Sequence, residues 1–260
     1  MLQATFIPNG LFMECTIKKS ALVVLLLLFA THTFGSSVVV IVTSQGILLA
    51  TDSQHLNGGE NKEDAVKIYK TGKFYYAHDG FVQYKNIYNL ITIVADALKN
   101  NIDFDKAKTE ILSRWASALD SAYLLLQKES PLRFTSDKKI RSSSVFIISR
   151  DGATPFLWGM KSLINPDSLN TTKVHFIIQN ASCSDISKDS AFVYESGKGR
   201  IYHYDFNINN VLKSPRMAAV YLIENSNGKD STVSGPIDIL WIDSKGDKWI
   251  KRKKGTPFIL

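Results

Sequence analysis

The junction Gly35–Ser36 is the first place in this chain where residue types and spacing could build a catalyst. Thr33 and Gly35 stand at the −3 and −1 positions of a cut there, behind Lys18, Lys19 and the ten-residue apolar block Ala21 to Ala30. Cations, a short apolar block and small residues are what a signal peptidase reads. Cleavage would leave Ser36 with a free α-amine beside its hydroxyl. That amine can take the hydroxyl proton as the serine attacks a carbonyl. Asp52 follows sixteen residues later, after a largely apolar stretch.

The elements around these residues are legible from pattern. Val38-Val39-Val40-Ile41-Val42, the turn Ser44-Gln45-Gly46 and Ile47-Leu48-Leu49-Ala50 predict a buried hairpin directly after Ser36. Val66 to Tyr69 and Phe74 to Ala77 predict a second strand pair around Thr71-Gly72. Helical spacing of Ile87, Leu90, Ile91, Val94 and Leu98 predicts a helix over Tyr84 to Lys99. A second helix is expected from a cap at Asp103 to about Gln127. Further on, Ser144 to Ser149, Phe156 to Gly159, Val174 to Ile178, Ala191 to Glu195 and Arg200 to Tyr204 read as extended. Ser214 with Pro215 at the first helical position predicts a helix to about Asn225. Asp238 to Ile242 and Asp247 to Lys251 predict a closing hairpin.

Composition bounds the rest. Of 260 residues, 45% are hydrophobic and 21% charged, which is ordinary for a globular chain. Removing residues 1–35 would leave one domain of 225 residues, 36–260, with Met13 as an alternative start of the leader. The apolar block is shorter than the about 20 residues a membrane span needs. An uncleaved anchor is the rival reading, and the expected location is secreted or periplasmic. Cys15 would leave with the leader, and Cys183 alone can form neither an intrachain disulfide nor a zinc site. The net charge of +7 is partly a basic tail, Lys248, Lys251, Arg252, Lys253 and Lys254, with no nucleic-acid motif beside it. None of the five histidines has ligand spacing, and His78 is expected as a surface residue at a strand edge. Asn170 and Asn180 head glycosylation sequons. No metal or organic cofactor is expected.

The run from Ser36 to Ser53, ending Ala50-Thr51-Asp52-Ser53, resembles the start of a mature proteasome β-type subunit and of the bacterial proteasome-like members of the N-terminal nucleophile hydrolases. The order of later elements is similar over most of residues 36–250, with an insertion around 160–190. The resemblance implies an α+β fold: a four-layer αββα sandwich, two mainly antiparallel sheets between helical layers. It assigns the nucleophile to Ser36, a buried carboxylate to Asp52 and a cation to Lys67, in Val66-Lys67-Ile68-Tyr69. Lys62 and Lys70 are the alternatives if the loop register differs. It assigns an oxyanion-holding amide to Gly80, in Asp79-Gly80-Phe81, and supporting roles to Ser196, before Gly197, and Ser234, before Gly235. The family has Thr where this chain has Ser36, and Asp where it has Ser231, with Asp230 one position away.

The expectation is an exported hydrolase of amide bonds, peptide bonds above all, that assembles as a homo-oligomer, a ring by resemblance. Small non-peptide amides are the alternative substrate class. A catalytically inactive scaffold or binding protein is the alternative function, favoured by the two departures.

Overall fold

The computed structural model describes residues 37–52, 55–57, 60–62, 67–101, 103–136, 142–151, 154–164, 174–196, 208–227 and 236–252. Ser36, Asp230, Ser231, Ser234, the stretch Arg200 to Tyr204, the Asn170 sequon and the tail beyond Arg252 lie outside the described residues.

The chain opens with β1 (Val38–Thr43) and β2 (Gly46–Thr51), then the short pair β3 (His55–Asn57) and β4 (Glu60–Lys62). β5 (Ile68–Thr71), β6 (Phe74–Gly80), β7 (Gln83–Tyr84) and β8 (Tyr88–Asn89) follow. Three helices come next: α1 (Leu90–Asn100), α2 (Phe104–Glu129) and α3 (Pro131–Ser136). The second half holds β9 (Ser142–Asp151), β10 (Thr154–Ile164), β11 (Val174–Ser182) and β12 (Ala191–Ser196). It closes with α4 (Ile208–Lys213), α5 (Pro215–Asn227), β13 (Asp238–Asp243) and β14 (Gly246–Lys251). Two five-stranded sheets result, ordered β12-β1-β2-β13-β14 and β11-β10-β9-β6-β5, and every pairing within them is antiparallel. The fold is α+β.

The unbroken apolar run of β1 has a physical cause: both faces of that strand are covered. Val38, Val40 and Val42 pack with Leu49 against Tyr75, Ala77, Phe146 and Ile148 of the second sheet. Val39 and Ile41 pack with Leu48 against Ala219, Leu222 and Ile223 of α5. A strand with two dry faces has no polar side to alternate with. The other face of the second sheet meets α1 and α2, where Tyr76, Val145 and Ile147 pack with Val94, Ile111, Trp115 and Leu119. Asp103 caps α2, its side chain accepting from the Asp105 amide at 2.8 Å. Ser214 likewise accepts from the Met217 amide at 3.4 Å, ahead of Pro215. Among the described residues no helix is long and apolar enough to cross a membrane.

Several elements differ from the sequence reading. Residues 83–89 form the β7–β8 hairpin rather than a first helical turn, and α1 starts only at Leu90. Lys85, at φ +48°, turns the chain back, and Asn89 accepts from the Thr92 amide at 3.1 Å. That Asn cap competes with helix continuation upstream. β9, β10 and β11 run longer than expected, because β10 pairs along its length with both neighbours. His78 is not a surface residue. It is 4% exposed and stacks on Tyr69 at 5.4 Å between centroids, because its strand, β6, lies inside the sheet between β5 and β9.

Candidate functional site

Asp52 directly follows β2 and Lys67 directly precedes β5, so the two residues flank strands of different sheets. Lys67 Nζ donates to Asp52 Oδ1 at 2.8 Å. Both side chains are buried, at 1% and 0% exposure. The backbone N–H of Ser37 donates to the same oxygen at 2.8 Å. The Asp52 amide returns a bond to the Ser37 carbonyl at 3.2 Å. The start of β1 and the end of β2 are thereby clasped together, and the clasp is tied to the second sheet through a lysine. Two charges this dry are costly unless they are paired and further hydrogen-bonded, and the Ser37 amide supplies one such bond.

Burial pushes the Lys67 ammonium below its ordinary value, while Asp52 first and Asp79 second pull the other way. Asp79 is itself 7% exposed and sits directly before Gly80. Gly80 has φ +84°, and a Cβ there would collide with the Ser142 carbonyl oxygen. Only glycine fits that position. In the ladder with β9, Gly80 lies opposite Ser143 and Phe81 donates to Ser142 O at 3.1 Å. The next carbonyl, Phe81 O, accepts from Tyr88 Oη at 2.9 Å and from Ser143 Oγ. These bonds hold the turn after Gly80 in place.

The other candidates fall into place unevenly. Ser196 lies opposite Val38, so β12 runs beside the head of β1; the Ser196 side chain is outside the described residues. Lys70 is turned away from Asp52: its Nζ lies 3.8 Å from Asp247 and 4.7 Å from the Tyr75 ring centroid, and it is half-exposed. The Lys62 side chain is outside the described residues. A cavity of about 530 Å³ lined by Lys73, Phe104, Trp158 and Asn180 opens at the start of β6, the opposite end from Gly80.

Sequence reasoning missed two participants and one buried acidic neighbour. The Ser37 amide carries no side-chain signal at all. Asp79 had one, an acidic residue on a strand just before a required glycine. Asp238, 3% exposed, lies opposite Thr51 in the β13–β2 ladder, one residue from Asp52. Only strand register could have placed it there.

No family model matches the chain, and neither does any curated protein. Among solved structures it is similar to a Gly-1 mutant of Anbu from Hyphomicrobium sp. strain MC1, with 14% identity, 83% of this chain and 87% of that chain covered, and a TM-score of 0.46.

Proposed function

We propose that this chain is an exported N-terminal nucleophile hydrolase that cleaves amide bonds, peptide bonds above all, through Ser36. The observation that carries the reading is the buried Lys67–Asp52–Ser37 chain of hydrogen bonds. It joins the residue after the nucleophile to a carboxylate and a cation, in the order that the resemblance assigns. The peptide bond to Ser37 keeps the Cα of Ser36 about 3.8 Å from that of Ser37. The sandwich would be four-layered, αββα.

In this reading removal of residues 1–35 frees the Ser36 α-amine. The Ser36 hydroxyl attacks the substrate carbonyl carbon, and its proton passes to the α-amine. The carbonyl oxygen, now an oxyanion, is held by the Gly80 N–H and by the field of Lys67. Asp52 fixes Lys67. A cation close to the amine lowers the amine's pKa and keeps it a free base. Collapse breaks the C–N bond, the leaving amine takes the proton, and water then hydrolyses the Ser36 ester. Ser196, Ser234 and either Ser231 or Asp230 orient the amine. Family resemblance adds assembly into a ring.

The departures at Ser36 and Ser231, where the family has Thr and Asp, favour a second reading: an inactive scaffold that keeps the ion pair as a staple between its sheets. Turnover of a mixed peptide library separates the two. The exported protein should cleave peptides, Ser36→Thr should retain cleavage and Ser36→Ala should abolish it. Equal turnover by Ser36→Ala would refute the assignment, and no turnover by any form, of peptides or of small non-peptide amides, would favour the scaffold.

A further inference from the structure

We propose that the end of the sheets opposite Gly80 holds a binding site for one compact tetrahedral oxyanion, with inorganic phosphate as its simplest ligand. The site follows from where the apolar filling between the two sheets stops. Successive residues of a strand face opposite sides, so positions two apart share a face. Ile68, Ala77, Ile148 and Trp249 pack into the layer between the sheets. Two positions nearer this end, the same faces carry Lys70, Tyr75, Arg150 and Asp247. Four strands thus change from apolar to ionisable residues at one end of the layer.

These residues line a cavity of about 110 Å³, together with Lys73 of the β5–β6 turn and the apolar Ile148 and Ile242. That is room for about four waters at liquid density, which suits a phosphate and is too little for a peptide or a nucleotide. Three cations meet one carboxylate there: Lys70, Lys73 and Arg150 against Asp247. The carboxylate is already engaged. Tyr75 Oη donates to Asp247 Oδ2 at 2.5 Å, and Lys70 Nζ lies 3.8 Å from the same oxygen. Among the described residues neither Lys73 nor Arg150 has an acidic partner. Arg150 is half-buried, and its Nη1 lies 3.9 Å from where a Cβ on Gly246 would stand. The guanidinium therefore reaches from the second sheet to the β13–β14 turn of the first. Cations gathered around a concavity with apolar walls repel one another and focus their field on what enters it. A guanidinium fork with two ammonium groups matches the several oxygens of a tetrahedral oxyanion. The site is independent of the hydrolase reading: Tyr75 stands near the start of β6, and Gly80 ends that strand.

The test is calorimetric titration of the protein with inorganic phosphate in chloride buffer at fixed ionic strength, with acetate as the comparison ligand. Arg150→Gln and Lys70→Gln are set against a control, Lys128→Gln, whose exposed residue lies on α2. One phosphate per chain is expected, held more tightly than acetate. Each of the two site variants should weaken phosphate about tenfold, the worth of one charge-assisted hydrogen bond, and the control should not. Melting temperatures without phosphate show whether the variants fold. Should Arg150→Gln lose stability, Lys73→Gln takes its place with the same expected loss. Phenyl phosphate separates two sources of the same chemistry. Weaker binding than phosphate supports a free ion, and tighter binding supports the phosphoryl end of a larger molecule in the same site. Phosphate that shows no saturable binding, or binds no better than acetate, would overturn the proposal. So would unchanged phosphate affinity in the site variants, since the ion would then sit elsewhere.

Discussion

Lys67 crosses from the second sheet to Asp52 of the first, 2.8 Å away, and neither side chain reaches water. Breaking such a pair from one side leaves the other charge buried and alone. Lys67→Ala and Asp52→Asn should therefore each lose about 3–5 kcal/mol of folding stability. Combining Asp52→Asn with Lys67→Met removes both charges, leaves an acceptor for the Ser37 amide, and should recover most of that loss. Denaturant titrations of the three variants check this. A double variant no more stable than the single ones would mean that the pair is more than a matched cost. Recovered stability without recovered turnover would separate the catalytic contribution of the pair from its structural one.

Gly80→Ala probes the proposed oxyanion donor. The backbone at φ +84° disfavours any Cβ, and the Ser142 carbonyl occupies its place. A loss of about 1–3 kcal/mol is expected from the strained conformation. Because the chain must shift at the proposed donor, turnover should fall well beyond what the lost stability explains. A variant that retained full activity would remove Gly80 from the mechanism.

The pH dependence follows from the charges around Lys67. Burial holds its ammonium below 10.5, so the basic limb of the rate profile should lie below that value. Above the limb Lys67 is neutral and its field is gone. Asp52 and Asp79 are the carboxylates that favour the charged form. Asp79→Asn removes one of them and should move the basic limb to lower pH. A limb that moves up, or one that lies at or above the ordinary lysine value, contradicts this assignment.

Cys183 gives a check on burial that needs no activity. It is 6% exposed, and burial pushes its thiol up to about 11. The thiolate is the reactive form. The Cys183 peptide should thus remain unalkylated at neutral pH in the native protein and react only after denaturation. Rapid native labelling would show that the turn Cys183–Asp185 opens readily.

The sequence disclosed what is local and withheld what is relational. β1 and β2 were readable because a β-branched run beside a Gly turn has few other conformations. Asp103 and Ser214 were readable as caps because capping involves neighbours two or three residues away. The β7–β8 hairpin was hidden because Ile87 and Leu90 fit a helical stripe, although Ile87 is in fact 42% exposed. His78 was misplaced because its burial depends on β9, contributed from 67 residues later in the chain at Val145. Resemblance nominated Lys67 over Lys62 and Lys70, but nothing local to Lys67 announces its burial. Its partner lies fifteen residues back, on another sheet. Asp238 joined the neighbourhood only through strand register.

The central claim is that Ser36 becomes the N-terminus and the nucleophile. The most direct test is the intact mass of the exported protein before and after a β-lactone or epoxyketone probe, with the modified residue mapped. The account predicts a chain that starts at Ser36 and takes up one probe adduct on that residue. A longer N-terminus, or a chain that starts at Ser36 and takes up no adduct there, would contradict it.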